Sequence, residues 1–451
     1  MNPRKSITIL CGAIALSGLL AACGGKEARL ADHLNKGRGL YAAGETEKAL
    51  VELKNVLQIE PKTAEPYLIF GKVEEQRSNL QKAFAYYLRA AELDPANTEV
   101  LTRLARLYLF GGDMKSAEAK INEVLAKNPD DPAALTVKVA FLARNGDTAG
   151  ALATGERVIK LAPSYVEAYG AVAGIYNSQG KPDAAVALFE QGIKANPKSL
   201  DLRVVLANLL IETKEGEKAI KQYEELIALE PKRLDFPVRL ARLHVGRNDR
   251  AAAEKVLRDA IQAVPEDPQR ILALTEFLLS TGQGDKAEKE LVAAIEAKPD
   301  AYPLRFGLAA MHGGQGSVAK AEQAYAEIIK RAKKSPDGLR ARGALASIRV
   351  GQERTDEAAD LLAEILKENP RDNAALLLRG QMALARGDGA NAIADFRAVL
   401  KDQPESVDVM MRLAQAHAAN REPQLAVETI GRGTAVRPGD PEARLLVAEV
   451  K

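Results

Sequence analysis

Residues 166–197 read VEAYGAVAGIYNSQGKPDAAVALFEQGIKANP, two helix-period patterns joined by a short break. In the first, Tyr169, Val172, Ala173 and Tyr176 fall at i, i+3, i+4 and i+7, which is one face of an α-helix. Gly180 follows, where a helix ends most cheaply in a left-handed residue without a Cβ. In the second, Ala185, Val186, Phe189 and Ile193 make another apolar face. Pro197 stops it, because proline lacks the N–H and clashes with the preceding turn. One such hairpin cannot bury both of its apolar faces, so it needs neighbours.

The neighbours are written along the chain. Prolines fall at Pro61, Pro95, Pro129, Pro163, Pro197, Pro231, Pro265 and Pro299, each 34 residues after the last. One 37-residue step leads to Pro336, and the 34-residue beat resumes at Pro370, Pro404 and Pro438. An alanine recurs twelve residues before these prolines, as at Ala83, Ala117, Ala151, Ala219 and Ala392. Ahead of Pro336 it is Ala321, fifteen residues away. A side chain this small at the start of the second helix lets two helices approach closely.

Counting from Val166 as unit position 1, the pattern is small at 8 (Ala173), aromatic at 11 (Tyr176), alanine at 20 (Ala185), aromatic or aliphatic at 24 (Phe189) and proline at 32 (Pro197). In period and positions it resembles the tetratricopeptide repeat, from Leu30 to Pro438. The resemblance implies an all-α chain: a right-handed α-solenoid of about twelve helix-turn-helix units plus a C-terminal half unit. It is specific for fold and says little about function, because this fold hosts many partners.

A chain of 451 residues would ordinarily divide into two or three globular domains, but the repeat predicts an elongated array with contacts mostly between adjacent units. The 63 basic side chains include Arg4 and Lys5, which a leader would carry away; 63 − 2 leaves 61, against 61 acidic ones. That balance does not point to nucleic acid as a partner. Tryptophan is absent and aromatics are 4%, which argues against a sugar groove built on stacked rings.

Residues 1–22 read as a bacterial lipoprotein signal peptide, with a basic start at Arg4 and Lys5 and a short apolar core over residues 7–20. That core is shorter than the roughly 20 residues a membrane-spanning helix needs. Leu20, Ala21, Ala22 and Cys23 resemble a lipobox, which implies cleavage before Cys23 and its acylation. Cys11 leaves with the signal, so no thiol remains for a disulfide, a metal or catalysis. Residues 23–29 are then a lipidated tether, and Gly24 after the cysteine is compatible with the outer membrane. The expected organisation continues as an N-terminal array over 30–299, an irregular unit with a possible hinge over 300–338, and a C-terminal array with a terminal helix over 339–451.

Two units break the pattern. In residues 132–163, Lys138 takes a usually apolar position and Gly155 the usual aromatic one, which predicts looser packing and a bend in the superhelix. In the unit from Tyr302, the break carries Gly313, Gly314 and Gly316, and three extra residues precede Pro336. After Pro438 one more helix, residues 441–450, carries Leu445, Leu446 and Val447; cap, binding element and end of a shortened array are all open readings.

No constellation for catalysis stands out. His244, His312 and His417 all occupy unit position 11, a packing position, two and three repeats apart, which keeps them from sharing a metal. His33 shows no partner in the sequence. GGQGSVAK at residues 313–320 fails the spacing of a phosphate loop, and no strand precedes it. Lys330, Arg331, Lys333 and Lys334 read as a solvated helix end. Neither an enzyme nor a cofactor nor a metal is expected.

Binding remains. In the resembled family, unit positions 2, 5, 9 and 12 of the first helices line a concave groove. Carried onto the central units, these are Val204, Asn208 and Ile211, then Val238, Arg242 and Val245, then Leu272, Glu276 and Leu279, and finally Phe306. Mostly aliphatic with a polar position 9, the strip suits an extended peptide or an amphipathic helix. The expectation is a scaffold for cell-envelope proteins, lipid-anchored on the periplasmic face of the outer membrane, with no nucleic acid and no small-molecule substrate. By resemblance it belongs with lipoproteins of exopolysaccharide export or PEP-CTERM/exosortase systems. An assembly factor for outer-membrane proteins or pili is the second reading.

Overall fold

The computed structural model describes residues 25–437; the signal peptide, Cys23 and the stretch 441–450 lie outside them. The described residues form helices α1 (25–42) to α24 (Pro423–Val436) and no strand, an all-α chain of antiparallel helix pairs as the repeat requires. They divide into two compact units, the first running to Leu229 and the second starting at Glu230. In the first, α3 (Ala64–Gln76) pairs with α4 (Leu80–Leu93), α5 (Thr98–Gly111) with α6 (Met114–Lys127), α7 (Pro132–Arg144) with α8 (Thr148–Leu161), and so on to α11 (Leu200–Glu212) with α12 (Gly216–Leu229). In the second, the pairs run from α13 (Asp235–Gly246) and α14 (Arg250–Ala263) to α23 (Val407–Ala419) and α24.

Local chemistry sets the helix ends. Asn97, Asp131, Ser199, Asp267 and Asp372 precede first helices, and each side chain accepts a hydrogen bond from an otherwise orphaned backbone N–H. Asp113, Asp147, Asp249 and Asp388 do the same for second helices. The turn inside each unit carries one left-handed residue at unit position 15. It is glycine at Gly44, Gly112, Gly146, Gly180, Gly282, Gly316 and Gly387, but Ser78, Lys214, Asn248, Glu353 and Arg421 take the same conformation. The packed pair of helices imposes this backbone whatever the side chain. A left-handed residue with a Cβ costs roughly 1–2 kcal/mol, partly offset by the greater chain entropy glycine loses on folding. Lys214→Gly, Glu353→Gly and Arg421→Gly are therefore each expected to stabilise by about 0.5–1 kcal/mol, read as a higher urea midpoint. Unchanged midpoints would mean that the side chains make good the backbone cost.

Every repeat alanine, from Ala49 to Ala426, is fully buried. Across from it, side-chain size is exchanged between unit positions 8 and 24. Gly71 faces the ring of Tyr87, and Gly380 the ring of Phe396 at 2.7 Å from where a Cβ would stand. Gly37 faces Leu53 in the same way. The expected loosening in residues 132–163 is absent for this reason. There the exchange is reversed: Val139 is the bulky partner, Gly155 the small one, and Val172 of the next unit fills the space a Cβ at Gly155 would need. Lys138 is half-buried rather than disruptive.

The 37-residue step is helix rather than loop. Second helices elsewhere have 14 residues, but α18 (Val318–Ala332) has 15. First helices usually have 13, but α19 (Pro336–Gly351) has 16. The connection 333–335 is three residues long, one fewer than 298–301 before α17 (Tyr302–Gly314), so 1 + 3 − 1 accounts for the three extra residues. Pro336 consequently opens α19 in its first turn, where the missing N–H costs nothing, instead of following α18 as the other repeat prolines follow their helices.

Candidate functional site: an apolar groove on the first helices of the second unit

The first helices α13, α15 (Pro268–Ser280) and α17 present two adjoining depressions. One, of about 150 Å³, lies between α13 and α15; Val238, Arg242 and Val245 form one wall, Glu276 and Phe277 the other, and Leu257 of α14 contributes from beneath. The next, of about 790 Å³, lies between α15 and α17, with Leu272, Glu276 and Leu279 facing Ala310 and Met311. Glu276 and Ser280 belong to both, so α15 is their common wall. Gly307 is why the second depression closes against α15: a Cβ there would overlap the Leu272 side chain, which instead rests on bare backbone.

Six of the ten residues expected to line the groove thus meet here: Val238, Arg242, Val245, Leu272, Glu276 and Leu279. Val204, Asn208 and Ile211 stand on α11, in the first unit, with Ile211 41% exposed and Asn208 accepting a hydrogen bond from the Tyr223 hydroxyl at 3.3 Å. Phe306 is misplaced by the expectation. It is 8% exposed, packs with Ile328, Ala332 and Ala341, and is covered by the Arg340 guanidinium 4.1 Å from its ring centroid. An aromatic at unit position 5 is large enough to reach across into the α18–α19 interface, so it serves the core.

The charges in the groove are uncommitted. Among the described residues neither Arg242 nor Glu276 has a side-chain hydrogen bond or ion pair, whereas Arg258 on α14 bonds Glu254 at 2.9 Å and Glu290 at 2.7 Å. An apolar trough with one free cation and one free carboxylate can seat an aliphatic anchor and orient the polar groups beside it. No group of three metal-ligating side chains occurs among the described residues.

The histidines do not cluster. His312 and His417 are buried and His244 half-buried. His417 Nδ1 meets Glu422 at 2.5 Å, and His33, for which the sequence offers no partner, meets Glu52 at 2.6 Å. Residues 313–316 are the end of α17 and the turn after it, with Gly316 left-handed, and Lys334 of the basic run pairs with Glu368 at 2.6 Å.

Sequence reasoning missed Arg270. Only 1% exposed, it donates from Nη1 to the Ala260 carbonyl at 2.7 Å and from Nη2 to the carbonyls of Pro231 and Lys232 at 3.1 and 2.8 Å, with Asp267 at 3.5 Å from Nε. It ties the connection ahead of α13, and so one wall of the groove, to α14 and α15. The signal was present: unit position 3 is apolar in Val100, Leu202, Phe236, Leu304 and Val409, and charged here.

Tetratricopeptide repeat profiles match residues 34–98 and 344–406, and a second set matches 75–140, 176–233, 217–275, 245–311 and 383–450. The chain belongs to the tetratricopeptide repeat family. Proteins of this family are typically non-catalytic scaffolds that bind protein partners, and the groove on α13, α15 and α17 is suited to that work. Curated relatives match over short stretches. Cellulose synthase operon protein C of Pseudomonas fluorescens (strain SBW25) is 36% identical over 88 residues, 20% of this chain and 7% of that protein. BBSome complex member BBS4 of Bos taurus is 31% identical over 101 residues, 22% of this chain and 19% of that one. This tetratricopeptide repeat chain therefore spans less than a fifth of the length of either. Among solved structures, yeast Tom70 is 16% identical, with 94% of this chain and 95% of that one covered at a TM-score of 0.42. No helix among the described residues is long and apolar enough to cross a membrane.

Proposed function

We propose that this tetratricopeptide repeat protein is a surface-tethered scaffold that holds an envelope protein in the groove of α13, α15 and α17. The observation that carries the reading is the pair of apolar depressions sharing Glu276, with Arg242 and Glu276 unpaired beside them. The occupant is a segment with two aliphatic anchors, one per depression, and charged groups that answer Arg242 and Glu276. The tether is the lipidated Cys23, which would hold the protein on the periplasmic face of the outer membrane. Confinement to a surface raises the effective concentration of partners bound along the array. The pathway proposed is export of an exopolysaccharide or of sorted surface proteins. The sequence likeness to a segment of a protein named for a cellulose synthase operon supports it, beside the lipobox.

Two exposed apolar side chains make the test clean. Ile211 is 41% and Val245 36% exposed, so Ile211→Glu and Val245→Glu should keep helical content and melting temperature. Val245→Glu, placed in the groove wall, should abolish capture by a photo-crosslinker at Leu279 in living cells, with captured species identified by mass spectrometry. A single export-channel or polymer-synthase component that disappears with Val245→Glu would support the scaffold. A broad set of unfolded outer-membrane proteins would replace it with the assembly-factor reading. Unfolding by Val245→Glu would show that the wall is core.

A further inference from the structure

The groove alternates charge with apolar surface. Along it, across the first helices, Arg242 on α13 is followed by the small depression, then Glu276 on α15, then the large depression. Both charged side chains are exposed. Packed helices stand about 8–10 Å apart, so each of these features lies about 4–5 Å from the next. A helix laid along the groove returns to the same face every turn, about 5.4 Å. An extended strand returns to one face every second residue, about 6.6 Å. Over the three steps from Arg242 to the large depression the helix drifts by about 1–4 Å and the strand by about 5–8 Å. The strand's drift is a whole feature, enough to set an anchor against a charge.

The walls give a second reason. The hydroxyls of Thr275 and Ser280 are turned back onto their own helix, each donating at 2.8 Å to the carbonyls of Ile271 and Phe277. Most of the remaining wall is aliphatic, with Val238 and Val245 on α13 and Leu272 and Leu279 on α15. An extended segment would turn backbone N–H and C=O groups toward walls with few partners for them, and a polar group desolvated without a partner is costly. A helix satisfies its backbone internally and presents side chains alone.

We infer that the partner's bound segment is an amphipathic α-helix with a basic residue between its two aliphatic anchors and an acidic residue one turn beyond the anchor in the small depression. This rests on the groove's being the partner site. On one face of the helix the order is aliphatic at i, lysine or arginine at i+4, aliphatic at i+7 and aspartate or glutamate at i+11. The basic residue meets Glu276 and the acidic one Arg242, neither of which has an ion pair among the described residues to give up first. A helix with the two charges exchanged meets like charge at both places, so the pair selects among helices that the aliphatic walls alone would accept equally.

The experiment uses the full-length chain and labelled alanine-based helices about four turns long, stapled on the outer face. One carries leucine at i and i+7, lysine at i+4 and glutamate at i+11; a second carries the reverse order, to serve the other chain direction. Fluorescence anisotropy should give a dissociation constant of about 10–100 µM for one of them. Arg242→Glu, with its melting temperature unchanged, should weaken that probe about tenfold, and exchanging the probe's glutamate for lysine should restore binding to the variant. Equal binding of the original chain to a probe with its two charges exchanged would overturn the inference. So would tighter binding of the same side chains in an extended, β-branched host. If neither helix binds while a crosslinker at Leu279 still captures a partner that Val245→Glu releases, the helix is lost and the groove keeps its role. If the crosslink is lost as well, the groove reading goes with it.

Discussion

Arg270→Leu is expected to cost the second unit about 3–5 kcal/mol. Leucine is apolar and of useful size, so the loss is not one of volume. Arg270 is the donor for three buried or half-buried backbone carbonyls, those of Ala260, Pro231 and Lys232, and those oxygens cannot be removed by mutation. Each acceptor left without a donor costs about 1–3 kcal/mol. In a repeat array neighbouring units can unfold separately, so the change should appear as an early urea transition of the second unit with faster amide exchange in α13 to α15. Arg270→Lys should recover only part of the loss, because an ammonium cannot reach both sides of a planar fork. A leucine variant with an unchanged urea profile would show that water takes over the three carbonyls. The same variant tests the groove: with the connection before α13 released, photo-crosslinking from Leu279 should fall even where the fold persists.

Two glycines on α19 should respond in opposite directions. Gly338→Ala is expected to destabilise by about 3 kcal/mol, at the upper end for overpacking. A Cβ at Gly338 would overlap the Lys333 carbonyl oxygen and stand 2.8 Å from its carbon, so backbone rather than a side chain must move. Lys333 is already held at φ 49°, the sharp reversal that joins α18 to α19 in three residues. Gly343→Ala, five residues on in the same helix, meets only Ile365 Cδ1 at 3.9 Å, ordinary contact. It should stabilise by about 0.5–1 kcal/mol through helix propensity alone. Thermal melts of the two variants decide it. If both destabilise, the α19 face at Gly343 needs its open space; if neither does, the α18–α19 reversal is looser than its geometry.

Much of this protein was legible before any coordinates. The 34-residue period, the alanine at position 20 and the terminating prolines specify helix pairs that stack, because each position has one neighbour set wherever it recurs. For the same reason six of the ten residues expected from position numbers come together: Val238, Arg242, Val245, Leu272, Glu276 and Leu279 line the two depressions. Phe306 did not follow. Position alone cannot tell a short side chain that stays on the surface from a ring long enough to enter the next interface. Gly155 failed similarly, since a missing side chain reads as a void until Val139 and Val172 are seen to fill it.

By itself, then, the sequence determined the helix pairs, their order and their buried faces, since these depend on local periodicity repeated twelve times. Only the tertiary structure decided where the three extra residues go, which residues other than glycine are forced left-handed, and how Arg270 is satisfied. The same holds for the buried Nδ1 of His312, which has no hydrogen-bond partner. Those outcomes depend on which atoms from different repeats meet, and a one-dimensional period carries no information about distances across units.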